Sequence, residues 1–236
     1  AVTGAPSVGR ARTRGGGGGW AGEYLRPGVS ALRSDPGRMT YDIGELDGKV
    51  TPRIKTVKEV LDHAGEAIIT ANLTGIRWTK LMINVGASGA STVLGCAGGE
   101  IISDDKATTM VLLLMLETVL TAQALGIRME PIQGLDPSLL PGLVREDLEG
   151  VKGLLRAAFS SLAEAKASML QDLEKGLPCE VEAINGHLCR AAREAGMATP
   201  VNDRVTEMIR EIQEGKRRFG FTNLEEIELP EVSFYL

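Results

Sequence analysis

The stretch WTKLMINVGAS, Trp78 to Ser88, decides how the rest of the chain is read. As a helix it stacks Lys80, Asn84 and Ser88 on one face, at i, i+4 and i+8. Leu81, Met82, Ile83 and Val85 lie between them and suit a core. A lysine on an amphipathic helix ordinarily snorkels to water. One aligned with two small polar groups and flanked by apolar surface reads instead as a cleft lining. A second stretch, SMLQDLEKGLPCEVEAING from Ser168 to Gly186, adds a serine on a helix and a carboxylate, Glu180, just after a Gly-Leu-Pro break. Ammonium, amide, hydroxyl and carboxylate together suit the holding and protonation of a small polar anion.

Working outward, helical periodicity dominates from Thr51 onward. Val57, Val60, Leu61 and Ala64 share a face and predict a helix from Pro52 to Ala64. The Lys80 helix is expected from Ile76 to about Val85, loosened or ended by Gly86 and Gly89. Ser103-Asp104-Asp105 caps a helix from Lys106 to Leu125 that Gly126 ends. Leu154, Ala158, Leu162, Ala165 and Met169 predict one long helix from Leu148 to Leu173. Pro178 sits where a first helical turn tolerates it, with Val181, Ile184, Leu188, Ala191 and Ala195 inward. Glu180 then falls in that helix's first turn, where the macrodipole favours a carboxylate whatever its role. Thr199-Pro200 opens the last helix, with Val201, Val205, Met208, Ile209 and Ile212 inward. Helices in succession without alternating strands predict a mainly α fold, a multi-helix bundle over residues 51–236.

Residues 1–50 differ in kind and predict loops with a hairpin or two. Turn signals recur at Arg26-Pro27-Gly28, Asp35-Pro36-Gly37 and Asp47-Gly48, and Met39 to Ile43 reads as a short strand. Gly15 to Gly19 read as a flexible joint or disordered stretch. Arg10, Arg12 and Arg14 make a short basic patch without an aromatic, the pattern of a solvated tail.

Composition excludes several classes. The 236 residues are 43% hydrophobic and 24% charged, an ordinary soluble balance. A net charge of −5 with no basic stripe argues against nucleic acid as a partner. The apolar run Met110 to Leu116 stops at Glu117, short of a bilayer's thickness, and no signal pattern opens the chain, so no membrane partner is expected. Ala1 in place of a methionine points to a processed or excerpted chain. Cys96, Cys179 and Cys189 suit a reducing, cytoplasmic setting. With His63 and His187 they form no metal-ligand spacing, so no metal is expected.

Trp78-x-Lys80-Leu-x-x-Asn84, then SMLQDLEKG from Ser168, then Glu180 with Asn185-Gly186, then Thr199-Pro200-Val201-Asn202 occur in an order that resembles the C-terminal domain of the 2-dehydropantoate 2-reductase (ketopantoate reductase) family. The likeness runs from about Trp20 to Ile212, and SMLQDLEKG is its most specific part. Upstream, Tyr24 to Gly28 and Asp42 to Gly48 resemble the final strands joining that family's cofactor domain to its helical domain.

The resemblance implies the helical fold of 6-phosphogluconate dehydrogenase-like C-terminal domains, preceded by a β/loop remnant of a Rossmann-type domain. It implies NADPH-dependent reduction of 2-dehydropantoate, or a related 2-keto acid, to the 2-hydroxy acid pantoate on the way to coenzyme A. Lys80 corresponds to the catalytic lysine that protonates the ketone oxygen, and Glu180 to the glutamate that holds the substrate hydroxyl. Asn84 and Ser168 correspond to substrate-binding positions. Ser88 stands where the family commonly shows a second asparagine. A small-molecule 2-keto acid and a second copy of the chain are the expected partners.

The family's opening G-x-G-x-x-G is not supplied by Gly15 to Gly19, where no predicted strand leads in, no helix follows and Trp20 replaces the last glycine. The chain alone is therefore expected to bind NADPH weakly or not at all. The competing expectation is a non-catalytic helical module, kept for dimerisation or regulation after loss of its cofactor half.

Overall fold

The computed structural model describes residues 14–18, 22–32, 39–132, 135–160 and 163–236. Pro6, Arg10, Arg12, Gly19, Trp20 and the Asp35-Pro36-Gly37 turn lie outside the described residues. By its contacts the chain divides into Ala1–Arg77 and Trp78–Leu236, whereas the sequence reading draws its line at residue 50.

The first unit begins with β1 (Arg14–Gly18), a hairpin of β2 (Gly22–Arg26) and β3 (Val29–Leu32), and β4 (Thr40–Glu45). It continues through α1 (Pro52–Leu61) to β5 (Glu66–Ile69). The sheet order is β1-β4-β5, with β1 antiparallel and β5 parallel to β4. Four of the glycines expected to form a loose joint are thus a strand. Lacking side chains to pack, Gly15 to Gly18 are held by the backbone ladder, in register with Gly44 to Tyr41. The Arg26-Pro27-Gly28 signal makes the β2–β3 turn, and Gly28 adopts φ 77° there.

Thr51 caps α1 by accepting the Ile54 N–H at 3.3 Å, with Pro52 at the first helical position. The helix ends at Leu61, short of the expected Ala64, because β5 then leaves to pair with β4. Ile54 packs on Ile43 and Ala67 to make a small core. The sequence reading missed β5, whose Ile68 and Ile69 carry the β-branched signal.

The second unit is helical. α2 (Leu73–Ile83), whose residues from Trp78 on belong to this unit, runs through a wide π-helical turn, Asn84–Ser88, into α3 (Gly89–Leu94). Gly86 and Gly89 widen and continue this helix, where the sequence suggested that they loosen or end it. Then come α4 (Gly98–Ser103), α5 (Asp105–Ala124), a 3₁₀ turn Pro137–Leu139, α6 (Leu140–Glu146) and α7 (Leu148–Phe159). After α8 (Ser168–Glu174), α9 (Asn185–Glu194) and α10 (Pro200–Gln213), two more 3₁₀ turns close the chain.

α5 is the hub. Asp104 caps it through a 2.8 Å bond to the Ala107 N–H, and the wide turn, α4, α6, α7, α9 and α10 all pack on it. Its length and composition would suffice to cross a membrane, yet 78% of its most apolar stretch is buried inside the protein.

Two helix assignments need correction. The single helix expected from Leu148 to Leu173 is broken between Phe159 and Ser168. There the carbonyls of Ala163 and Ala165 turn away to accept the N–H groups of Gly99 and Gly98 at 2.8 and 3.2 Å. They satisfy the open first turn of α4, a tertiary demand that helical periodicity does not register. Glu180 does not begin a helix either. It opens a turn, with the Ile184 N–H on its carbonyl at 3.0 Å, and α9 starts only at Asn185.

Candidate functional site

Lys80, Asn84 and Ser88 lie along one helical path, from the last turn of α2 through the wide turn. Exposure falls along it: Lys80 is exposed, Asn84 half-buried and Ser88 buried at 7%. The path leads from solvent toward the core. The turn is defined by the Gly89 N–H reaching back five residues to the Asn84 carbonyl, a rare pattern that occurs mostly as single turns inside α-helices and frequently at functional sites.

The geometry around this turn leaves no room for larger residues. A Cβ at Gly86 would stand 2.8 Å from Met115 Cγ of α5, and one at Gly89 would stand 3.0 Å from Asn185 Nδ2 of α9. Both glycines permit close packing.

Three contacts bring the two informative stretches of sequence onto this segment. Asn185 Nδ2 donates to the Val85 carbonyl at 3.3 Å, fastening the end of the Glu180 turn to the wide turn. The Ala167 N–H donates to Ser91 Oγ at 3.3 Å, placing the start of α8, and so Ser168, against α3. The Trp78 and His187 rings lie 6.3 Å apart, inclined at 56°. Burial, with a smaller effect of nearby Arg190, lowers the His187 pKa, which favours a neutral imidazole against the indole.

Ser168 and Glu180 are both exposed. Among the described residues no hydrogen bond or ion pair engages the side chains of Lys80, Asn84, Ser88, Ser168 or Glu180, so the five are not joined to one another directly. Their elements are gathered, and the side chains are left with donors and acceptors to offer.

A groove of about 680 Å³, lined by Leu173, Leu177, Pro178, Ile212, Arg218 and Phe219 among others, includes none of the five. The thiols are not poised to react: burial pushes Cys96 up to about 12 and Cys189 up to about 11, and raises half-buried Cys179. Among the described residues no cluster of His, Cys, Asp or Glu is arranged to hold a metal ion.

A buried polar network behind the turn is absent from the sequence reading. Glu117 of α5, 1% exposed, accepts the N–H groups of Val201 and Asn202 at 3.0 and 2.9 Å. It also accepts Asn202 Nδ2 at 2.7 Å and the Tyr235 hydroxyl at 2.7 Å. Asn202 Oδ1 in turn accepts Asn185 Nδ2 at 3.1 Å. Burial raises the Glu117 carboxyl pKa, and the donors around it only partly offset that. The available signal was a lone carboxylate in a helix of otherwise apolar character, since such a group must find partners.

Comparison with known proteins agrees with this architecture. Residues 72–213 match the family model described as "Ketopantoate reductase PanE/ApbA C terminal". The 2-dehydropantoate 2-reductase of Mesorhizobium japonicum is 27% identical over 173 residues, 73% of this chain and 47% of that protein. That of Archaeoglobus fulgidus is 25% identical over 177 residues, 75% of this chain and 53% of that protein. The chain thus spans about half the length of the curated relatives it matches.

Among solved structures, 2-dehydropantoate 2-reductase from Methylococcus capsulatus aligns with a TM-score of 0.68 at 24% identity, over 87% of this chain and 64% of that one. A D-mandelate dehydrogenase solved with NADH and anilino(oxo)acetate aligns with a TM-score of 0.68 at 21% identity, over 89% and 62%. The dimeric ketopantoate reductase of Staphylococcus aureus aligns at 0.65 and 20% identity, over 86% and 63%. At these identities the structures show a shared fold.

Proposed function

Because the chain belongs to the ketopantoate reductase C-terminal family, we propose that it supplies the substrate-binding and proton-donating half of a reductase that turns 2-dehydropantoate, or a related 2-keto acid, into the 2-hydroxy acid. The observation that carries this reading is the Lys80–Asn84–Ser88 path, which runs from solvent toward the core around a wide turn, with no partner among the described residues engaging its side chains.

In this reading Lys80 stabilises the charge that grows on the ketone oxygen as it is reduced, and then gives it a proton. Glu180 accepts a hydrogen bond from the substrate hydroxyl. Asn84, Ser88 and Ser168 hold the remaining polar atoms, Ser168 near the carboxylate. Ser88 is shorter than the amide common at its position, which favours a bulkier acid or a bridging water there.

The hydride would come from NADPH, and the described residues do not fit that cofactor. A dinucleotide pyrophosphate needs a glycine turn leading into a helix N-terminus, whereas Gly15 to Gly18 are spent in a paired strand. The chain's own contribution is therefore binding, orientation and the proton. A cytoplasmic setting and a homodimer belong to the same proposal, the latter with the dimeric relative from Staphylococcus aureus as precedent.

Titrating the purified chain with 2-dehydropantoate while following the Asn84 side-chain amide by NMR tests the site. Saturable shifts there that Lys80→Ala weakens are expected. Shifts absent from this helix, or unchanged in the variant, would overturn the assignment.

A further inference from the structure

The wide turn that carries Asn84 and Ser88 is an unusual conformation, and such turns persist where their surroundings over-determine them. On one side Gly86 lies against Met115. On the other, the amide of Asn185 reaches the carbonyl of Val85, inside the turn. Asn185 is fully buried, and its amide must be oriented as described, because both of its Nδ2 neighbours, Val85 O and Asn202 Oδ1, are acceptors. The same orientation leaves Asn185 Oδ1 buried without a donor among the described residues. An unmade bond of this kind is a net cost to folding, and an apolar residue at the position would avoid it. The fold tolerates the orphaned acceptor and keeps the donor.

Asn202 is oriented just as tightly. Its Nδ2 donates to Glu117 Oε2 at 2.7 Å and to the Leu114 carbonyl at 3.2 Å, which turns its Oδ1 toward Asn185.

We propose that Glu117, Asn202 and Asn185 form a buried positioning relay for the Lys80–Asn84–Ser88 stripe: the carboxylate orients Asn202, Asn202 orients the Asn185 amide, and that amide holds the Val85 carbonyl so that the wide turn keeps its register. The relay touches no substrate. It acts through the turn, and its relevance to catalysis rests on the functional reading above.

The discriminating variant is Asn185→Asp, which keeps shape and volume but replaces the donor by an acceptor facing two acceptors. At neutral pH the amide resonances of Gly89 and of the Asn84 side chain should move, and hydrogen exchange at Gly89 should speed up. Both should return toward the wild-type pattern as pH is lowered, because the introduced carboxyl, once protonated, again offers a donor. Affinity for 2-dehydropantoate should fall by about five- to tenfold, the scale of one lost buried hydrogen bond.

A variant that melts like the wild type but leaves the Gly89 and Asn84 signals in place at all pH values would overturn the relay. Should Asn185→Asp fail to fold, Asn202→Asp, which puts an acceptor against Glu117, is read through the same signals. Wild-type chain that shows no 2-dehydropantoate binding would count against the functional reading, and the resonance and exchange data would still decide the relay.

Discussion

At the scale of single residues, Lys80 is exposed, with no hydrogen bond or ion pair on its ammonium among the described residues, whereas Glu117 sits in the core and its carboxylate accepts four hydrogen bonds. The two carry opposite expectations. In the form that turns over a 2-keto acid, Lys80→Ala should lower kcat by about 100- to 1000-fold, because the ammonium matters most when the oxygen carries charge. Steady-state kinetics should show KM for the acid changing far less, and an unchanged kcat would remove Lys80 from the mechanism. Glu117→Gln should cost about 1–3 kcal/mol of stability, since the new amide turns a donor on donors. Its pH dependence follows from burial. The folded carboxyl titrates above the ordinary value of 4.5, so the stability it contributes is full below that value and falls as pH rises through the raised one. Urea melts of wild type across that window should show this decline, and Glu117→Gln should flatten it. Lys80, Asn84 and Ser88 were legible from sequence because helical spacing alone aligns them. The network that joins Asn185, Asn202 and Glu117 was not, because its links run across space, Asn185 to Val85 over 100 positions and Asn202 to Glu117 over 85.

At the scale of elements, the wide turn is where small residues matter most. A methyl group at Gly89 would sit 3.0 Å from Asn185 Nδ2, an atom committed to two buried bonds and unable to retreat without losing one. Gly89→Ala should therefore destabilise by about 1–3 kcal/mol. Gly142→Ala, in α6 with nothing within 4 Å of the new atom, should be neutral or stabilise by up to about 1 kcal/mol. Thermal melts of the pair test this, and equal effects would mean that the turn is not tightly held. α5 was foreseen from its capping residues and closing glycine and α10 from its apolar stripe, all five of whose inward positions are buried, whereas the stripe of α9 was foreseen with too early a start. The break after Phe159 and the strand Gly15–Gly18 were not foreseen. Each is decided by backbone groups seeking partners elsewhere, and side-chain periodicity says nothing about that.

At the scale of the whole molecule, the mainly helical class and the helix-rich second unit follow from the shift to a helical period after residue 50. The parallel β4–β5 pair shows that the sheet-forming part reaches further along the chain than that shift suggests. Calorimetric titration of the 236-residue chain with NADPH should give no saturable binding in the micromolar range, since Gly15 to Gly18 are held in a paired strand and the N–H groups of Gly98 and Gly99, at the start of α4, are taken by the carbonyls of Ala165 and Ala163. Micromolar binding would mean that another part of the chain cradles the pyrophosphate. The bond from Asn185 to Val85 also has a kinetic consequence, for it joins residues separated by 100 positions. Local helices assemble in about a microsecond, but this contact must wait for a long loop to close. The wide turn should accordingly be among the last features to mature. A refolding chain followed by pulsed hydrogen exchange should protect the middle of α5 well before Gly89, so that helical content recovers first and the geometry of the stripe only afterwards.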